Sequence, residues 1–87
     1  MNTVRVASPL RSYTSGAARL MASGDSIAQL LANLERVHPG MRFRMIDEQH
    51  RIRSHIRIFV GKHEAPDLTQ AVPPQQPVHL LCALSGG

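Results

Sequence analysis

Only one stretch of this chain repeats its apolar residues with the period of a long amphipathic helix. Ile27, Leu30, Leu31, Leu34 and Val37 recur at helical spacing and form one stripe, with Gln29, Asn33 and Arg36 opposite. Ser26, three residues ahead of Gln29, is a capping-box start. His38-Pro39-Gly40 is a stop, because the residue before a proline is pushed out of helical space. The spacing therefore predicts a helix over 26–38. A helix with a single stripe must bury it against another layer. With no second helix of this kind to pair with, that layer has to be a sheet.

The strands are read from period-two alternation. Thr3 to Ala7 places Val4 and Val6 on one face, and Ser8-Pro9 ends it. Residues 10–16 read as a loop, and Ala17 to Ser23 as a second strand. Met41, Met45 and Ile46 predict a short irregular helical piece. From Arg51 the pattern predicts a strand in which Ile52, Ile56, Ile58 and Val60 alternate with Arg51, Arg53, His55, Arg57 and Phe59, giving one basic face. Residues 62–77 hold four of the six prolines and read as a long connection. Val78 to Leu84 is the last strand, with Val78, Leu80, Cys82 and Leu84 on one face. The expected order is strand, strand, helix, strand, strand, in a two-layer α+β domain of four to five strands covered on one face.

Composition limits what this domain can do. Its 87 residues suit a single small domain, expected over 1–84, followed by a flexible tail over 85–87. No apolar run reaches the ~20 residues of a membrane span, and residues 1–9 lack a signal-peptide pattern. The single cysteine, Cys82, permits no internal disulfide; a buried, inert thiol in a reducing cytoplasmic setting is expected. Five histidines (His38, His50, His55, His63, His79) form no helical i,i+4 pair, so no metal site is expected. The formal charge is +4. Arg42, Arg44, Arg51, Arg53 and Arg57 are either a solvated face or a contact for an acidic partner. Nucleic acid is a competing partner class, but base stacking calls for interleaved aromatics. The chain has only Tyr13, Phe43 and Phe59.

If the first and last strands pair in parallel at the sheet centre, the residues after the last strand project from the sheet. This is the β-grasp, or ubiquitin-like, layout. The chain resembles the ubiquitin-like sulfur carriers of the MoaD/ThiS family. The resemblance is carried by Leu10-Arg11 with Thr14 and Gly16; by Ser23-Gly24-Asp25-Ser26-Ile27; and by Leu34-Glu35 through His38-Pro39-Gly40. His55 to Val60 and the ending Ala83-Leu84-Ser85-Gly86-Gly87 complete it. The chain departs from the family at Gln75-Gln76-Pro77, where Gly-Asp is frequent, at Cys82, where proline is frequent, and in being basic.

The resemblance implies a protein co-substrate and not an enzyme. The Gly87 carboxylate, led by Gly86, would be adenylated by a ubiquitin-activating-type partner of the MoeB/ThiF kind, which uses ATP. It would then become a thiocarboxylate. No cofactor is expected to stay bound. The sulfur acceptor would be a molybdopterin synthase large subunit, a thiazole synthase or a cysteine synthase-like enzyme; the acceptor pathway could also be that of a siderophore. Two glycines lack Cβ atoms and can enter a narrow channel. Residues 83–87, fully extended, reach roughly 17 Å. At average glycine usage, a Gly-Gly ending arises by chance about once in 200 chains. Alternation places Phe59 and Leu81 on the open sheet face as a docking patch, continued by Ala83, Leu84 and Ser85. A ubiquitin-like modifier joined to lysines, and a small basic nucleic-acid-binding domain, are the alternative functions.

Overall fold

The computed structural model describes residues 1–83. Its elements are β1 (Asn2–Val6), a 3₁₀ helix (Ser8–Thr14), β2 (Arg19–Ala22), α1 (Ile27–Val37), α2 (Met41–Met45), β3 (Ile56–Val60), β4 (His63–Glu64) and β5 (Val78–Cys82). The five strands lie in the order β2-β1-β5-β3-β4. β1 and β5 are parallel neighbours, with Val4 beside Val78 and Val6 beside Leu80. The other pairings are antiparallel. This is the mixed sheet with the parallel central pair on which the β-grasp reading depends.

α1 starts as its sequence predicts. The N–H of Gln29 donates to Ser26 Oγ at 3.2 Å. Gln29 in turn reaches back, with Oε1 accepting from the Asp25 N–H at 2.7 Å, one residue earlier than in the usual box. Ile27, Leu30, Leu31 and Leu34 are buried against Val4, Ile58, Val78 and Leu80 in one apolar cluster. Gly24 lets the chain entering α1 lie against the backbone of that helix: a Cβ there would stand 2.4 Å from the backbone nitrogen of Leu30. Met41, Met45 and Ile46 are also buried, so α2 closes the end of the same core. Glu35 fastens α2 to α1, accepting from the N–H of Gly40 and of Arg42, each at 2.8 Å.

The structure corrects several sequence readings. Residues 10–16 are not an open loop, because most of them belong to the 3₁₀ helix. Pro9 opens it, Ser15 in the left-handed region (φ 56°) closes it, and buried Leu10 and Thr14 anchor it. The second strand is shorter than 17–23, covering four residues. Val37 does not join the stripe: it is 71% exposed. It overhangs the edge strand β2, where it lines a shallow groove with Leu20 and Met21.

The basic strand begins at Ile56 and not at Arg51. Between 47 and 56 the backbone bonds locally. Asp47 Oδ1 accepts from the N–H of Gln49 and of Arg51, and the Ile56 N–H donates to the Arg53 carbonyl at 2.9 Å. Such local bonds compete with a ladder. Ile52 keeps a single bridge to Ile46. The 62–77 connection contains β4 and contributes buried Ala65, Leu68 and Val72 to the core. Cys82 is half-buried and not enclosed, since it lies at the sheet end opposite Ile56. The described part of β5 ends at Cys82, so Leu84 of the anticipated strand lies outside the described residues.

Candidate functional site

Residues opposite each other in a ladder share a face. On the face away from α1, the pairs are Met21–Thr3 and Arg19–Arg5 between β2 and β1. Arg5 then sits beside His79 of β5, and β5 meets β3 in the pairs His79–Phe59 and Leu81–Arg57. Glu64 of β4 completes the row opposite Phe59. Leu81 is 41% exposed and Met21 56%, both high for large apolar side chains. Phe59 is half-buried and Ala83 exposed. Phe59, Leu81 and Ala83 are thus three of the seven site residues anticipated from sequence; Leu84, Ser85, Gly86 and Gly87 lie outside the described residues.

The anticipated basic stretch is split. Arg57 lies on the open face and pairs with Glu64 at 3.1 Å. Arg51 turns to Asp47 at 3.8 Å. Arg53 donates to the Phe43 carbonyl at 2.9 Å and lies 4.8 Å from the centroid of the Phe43 ring. Arg42 approaches His50 Nδ1 at 3.3 Å. Arg5, which alternation sets on the face opposite Val4 and Val6, and Arg19, which the sequence reading passed over, join Arg57 on the open face. Each is a single arginine in a different strand, so only the register brings them together.

The other residues that carry the family resemblance have structural work. Arg11 Nε donates to the Val6 carbonyl at 3.0 Å, and Thr14 Oγ1 donates to the carbonyls of Arg11 and Ala17. Asn2, also missed from sequence, is 3% exposed. Its Nδ2 donates to the carbonyls of Pro73 (2.9 Å) and Gln76 (2.8 Å), holding the approach to β5. Its carbonyl partners lie more than seventy residues away, beyond any local pattern.

Three carboxyls sit below their usual range. Glu35 is lowered chiefly by the N–H groups of Gly40 and Arg42, and Asp47 chiefly by the N–H of Arg51. Asp67 is lowered chiefly by the Thr69 hydroxyl. All three are turn and cap acceptors away from the open face. Among the described residues no group of three or more His, Cys, Asp or Glu side chains could hold a metal ion. No helix among them is long and apolar enough to cross a membrane.

Comparison with solved structures places this arrangement. The chain matches CysO of Mycobacterium tuberculosis with a TM-score of 0.90 at 25% identity, covering 97% of this chain and 100% of that one. It matches the Amycolatopsis orientalis BexX/CysO complex with a TM-score of 0.92 at 23% identity, covering 100% of both chains. SAMP1 of Haloferax volcanii follows at 0.77 and 21% identity, covering 99% of this chain and 98% of that one. This chain is a ubiquitin-like β-grasp protein. The likeness to MoaD/ThiS-type carriers read from its residues holds in three dimensions over the whole β-grasp. No protein-family model matches the chain, and no curated protein is similar enough in sequence to count as a relative. In the Amycolatopsis structure the CysO stands in a complex with BexX.

Proposed function

We propose that this β-grasp protein is a sulfur carrier whose reactive group is the Gly87 carboxylate. The observation that carries the reading is the match to CysO over 97% of this chain and 100% of that one, with Gly86-Gly87 following β5 in sequence. A C-terminal carboxyl has a pKa of about 3.5 and is an anion at pH 7, hence a poor electrophile. Attack of its oxygen on the α-phosphorus of ATP, with loss of pyrophosphate, makes it an acyl adenylate. Hydrosulfide then attacks the acyl carbon and AMP leaves, so the net change is –COO⁻ to –COS⁻. Both steps belong to a partner adenylating enzyme, and ATP is bound there. The carrier contributes a terminus that reaches into that site and a face that docks the body outside. Leu81, Phe59, Ala83, Leu84 and Ser85 form the docking contact.

A cysteine synthase-like acceptor is favoured among the candidates by the CysO match. The expected experiment is incubation with ATP, sulfide and a cognate adenylating enzyme, followed by intact-protein mass spectrometry. One oxygen at Gly87 should be exchanged for one sulfur. Sulfur found on Cys82, or no exchange, refutes the mechanism. A second reading, a protein modifier, is suggested by the match to a small archaeal modifier protein. It predicts lysine conjugates in cell extract in place of free thiocarboxylate.

A further inference from the structure

Stability alone does not explain the charge on the open face. Arg5 and Arg19 are directly opposite in register and both exposed. Residues so placed have Cβ atoms about 5 Å apart, and like charges there are destabilising. Among the described residues neither has an acidic partner, since the ion pairs are Arg51–Asp47 and Arg57–Glu64. Glu64 is the one carboxylate in the register row of this face, and Arg57 already holds it at 3.1 Å. Leu81, the exposed apolar residue at the centre, lies directly beside Arg57. Because Arg5 pairs with His79, two residues earlier on β5, Arg5 is its diagonal neighbour on the other side. An apolar anchor is thus bracketed by guanidinium groups, with a second unpaired arginine beyond.

We propose that this face recognises an acidic protein surface: an apolar contact that seats on Leu81, rimmed by carboxylates that pair with Arg5 and Arg19. The proposal takes the Leu81 docking role from the function proposed above and adds the chemistry of the partner. Carboxylates facing Arg5 and Arg19 relieve a repulsion that the free protein carries, so binding is favoured on both counts. Bracketing an apolar centre with charges of one sign also rejects basic surfaces of the same shape and speeds encounter with acidic ones. Nucleic acid fits this face less well. Phe59 is half-buried and Leu81 offers no π-face, so bases have little to stack on.

The test is a two-dimensional NMR titration of the full chain with two probes. One is a peptide of glutamates around a single phenylalanine. The other is a single-stranded oligothymidine of equal charge. At about 0.01 M salt, where screening reaches roughly 30 Å, the peptide should shift the amides of Arg5, Arg19 and Leu81. Raising the salt to about 0.3 M should weaken the apparent affinity about tenfold. The R5Q/R19Q double variant should lose about tenfold at low salt.

Shifts centred on Arg42 to Arg53, no shift on the open face, or tighter binding of the oligothymidine would each overturn the proposal. A second measurement needs no probe. Arg19→Glu replaces a like-charge pair by an opposite one, so the thermal midpoint should rise by roughly 4 °C. A fall of that size would mean Arg19 is held by the fold and is not kept for a partner. Neither measurement uses the adenylating enzyme, so failure of sulfur transfer leaves both readable, and their failure leaves sulfur transfer standing.

Discussion

Leu80 and Leu81 are neighbours in sequence, yet Leu80 is fully buried beside Val6 and Ile58 while Leu81 faces outward beside Arg57. The two-residue period of a strand accounts for this split. Leu81→Asp should leave the domain folded and raise the Kd for the adenylating enzyme by about thirtyfold or more, the loss of a central apolar anchor. Calorimetric titration checks the affinity, and circular dichroism checks the fold. Leu80→Asp should unfold the protein by placing an unpaired charge in the core. At Cys82, half-buried at the sheet end, alanine should cost about 1 kcal/mol and leave sulfur transfer intact. A folded Cys82→Ala protein that cannot be charged with sulfur would show that the thiol takes part in the chemistry.

At the scale of elements, junctions matter more than lengths. Ser26→Ala removes the acceptor of the Gln29 N–H and should cost about 1 kcal/mol in chemical denaturation. The α1–α2 junction predicts a pH dependence. Glu35 has its folded pKa lowered from 4.5 by the N–H groups of Gly40 and Arg42. A lowered folded value means that the carboxylate stabilises the protein fully above the unfolded value, and that this is lost as pH falls through the folded one. Stability should therefore be flat from neutral pH to about 5 and decline below it. Asp47 and Asp67 add to the decline in the same direction. Glu35→Gln should make the decline shallower; an unchanged pH profile would show that the junction does not depend on the charge. Sequence alone signalled α1 well because its cap, stripe and stop agree. It misplaced the start of β3 because Arg51 to His55 keep strand alternation while the Arg51 N–H donates to Asp47 Oδ1 and the Arg53 N–H to the Met45 carbonyl.

Taken whole, the molecule separates folding from function. Every buried apolar residue of the described core lies between Val4 and Leu80, whereas the proposed chemistry lies at Gly87. Deleting Gly87 should leave the thermal midpoint nearly unchanged and abolish pyrophosphate exchange by the adenylating enzyme. The new carboxylate on Gly86 has the same intrinsic reactivity but falls about 3.3 Å short. Attack on the α-phosphorus does not tolerate such an error. A shortened chain that exchanges at the wild-type rate would refute the carrier reading. The edges of the sheet suit a single-copy domain: β2 has four residues and β4 two, and short edge strands offer little template for pairing with another chain.

The features that repeat locally were legible in the amino-acid order. The stripe of α1 and the order of the alternating strands pointed to a two-layer sheet covered by one helix, and the Gly-Gly ending to a carrier. A helix with one stripe and strands with one apolar face leave few other ways to close a core. Phe59 and Leu81 could be placed on the open face for the same reason. What tertiary structure decided are the relations between distant residues. The parallel register of β1 and β5 brings Arg5 beside His79 and diagonal to Leu81, and the antiparallel register of β2 sets Arg19 against Arg5. Asn2 finds its carbonyl partners more than seventy residues away. No periodicity encodes such pairs, because register is set by the joint burial of both strands on one core and by the turns between them.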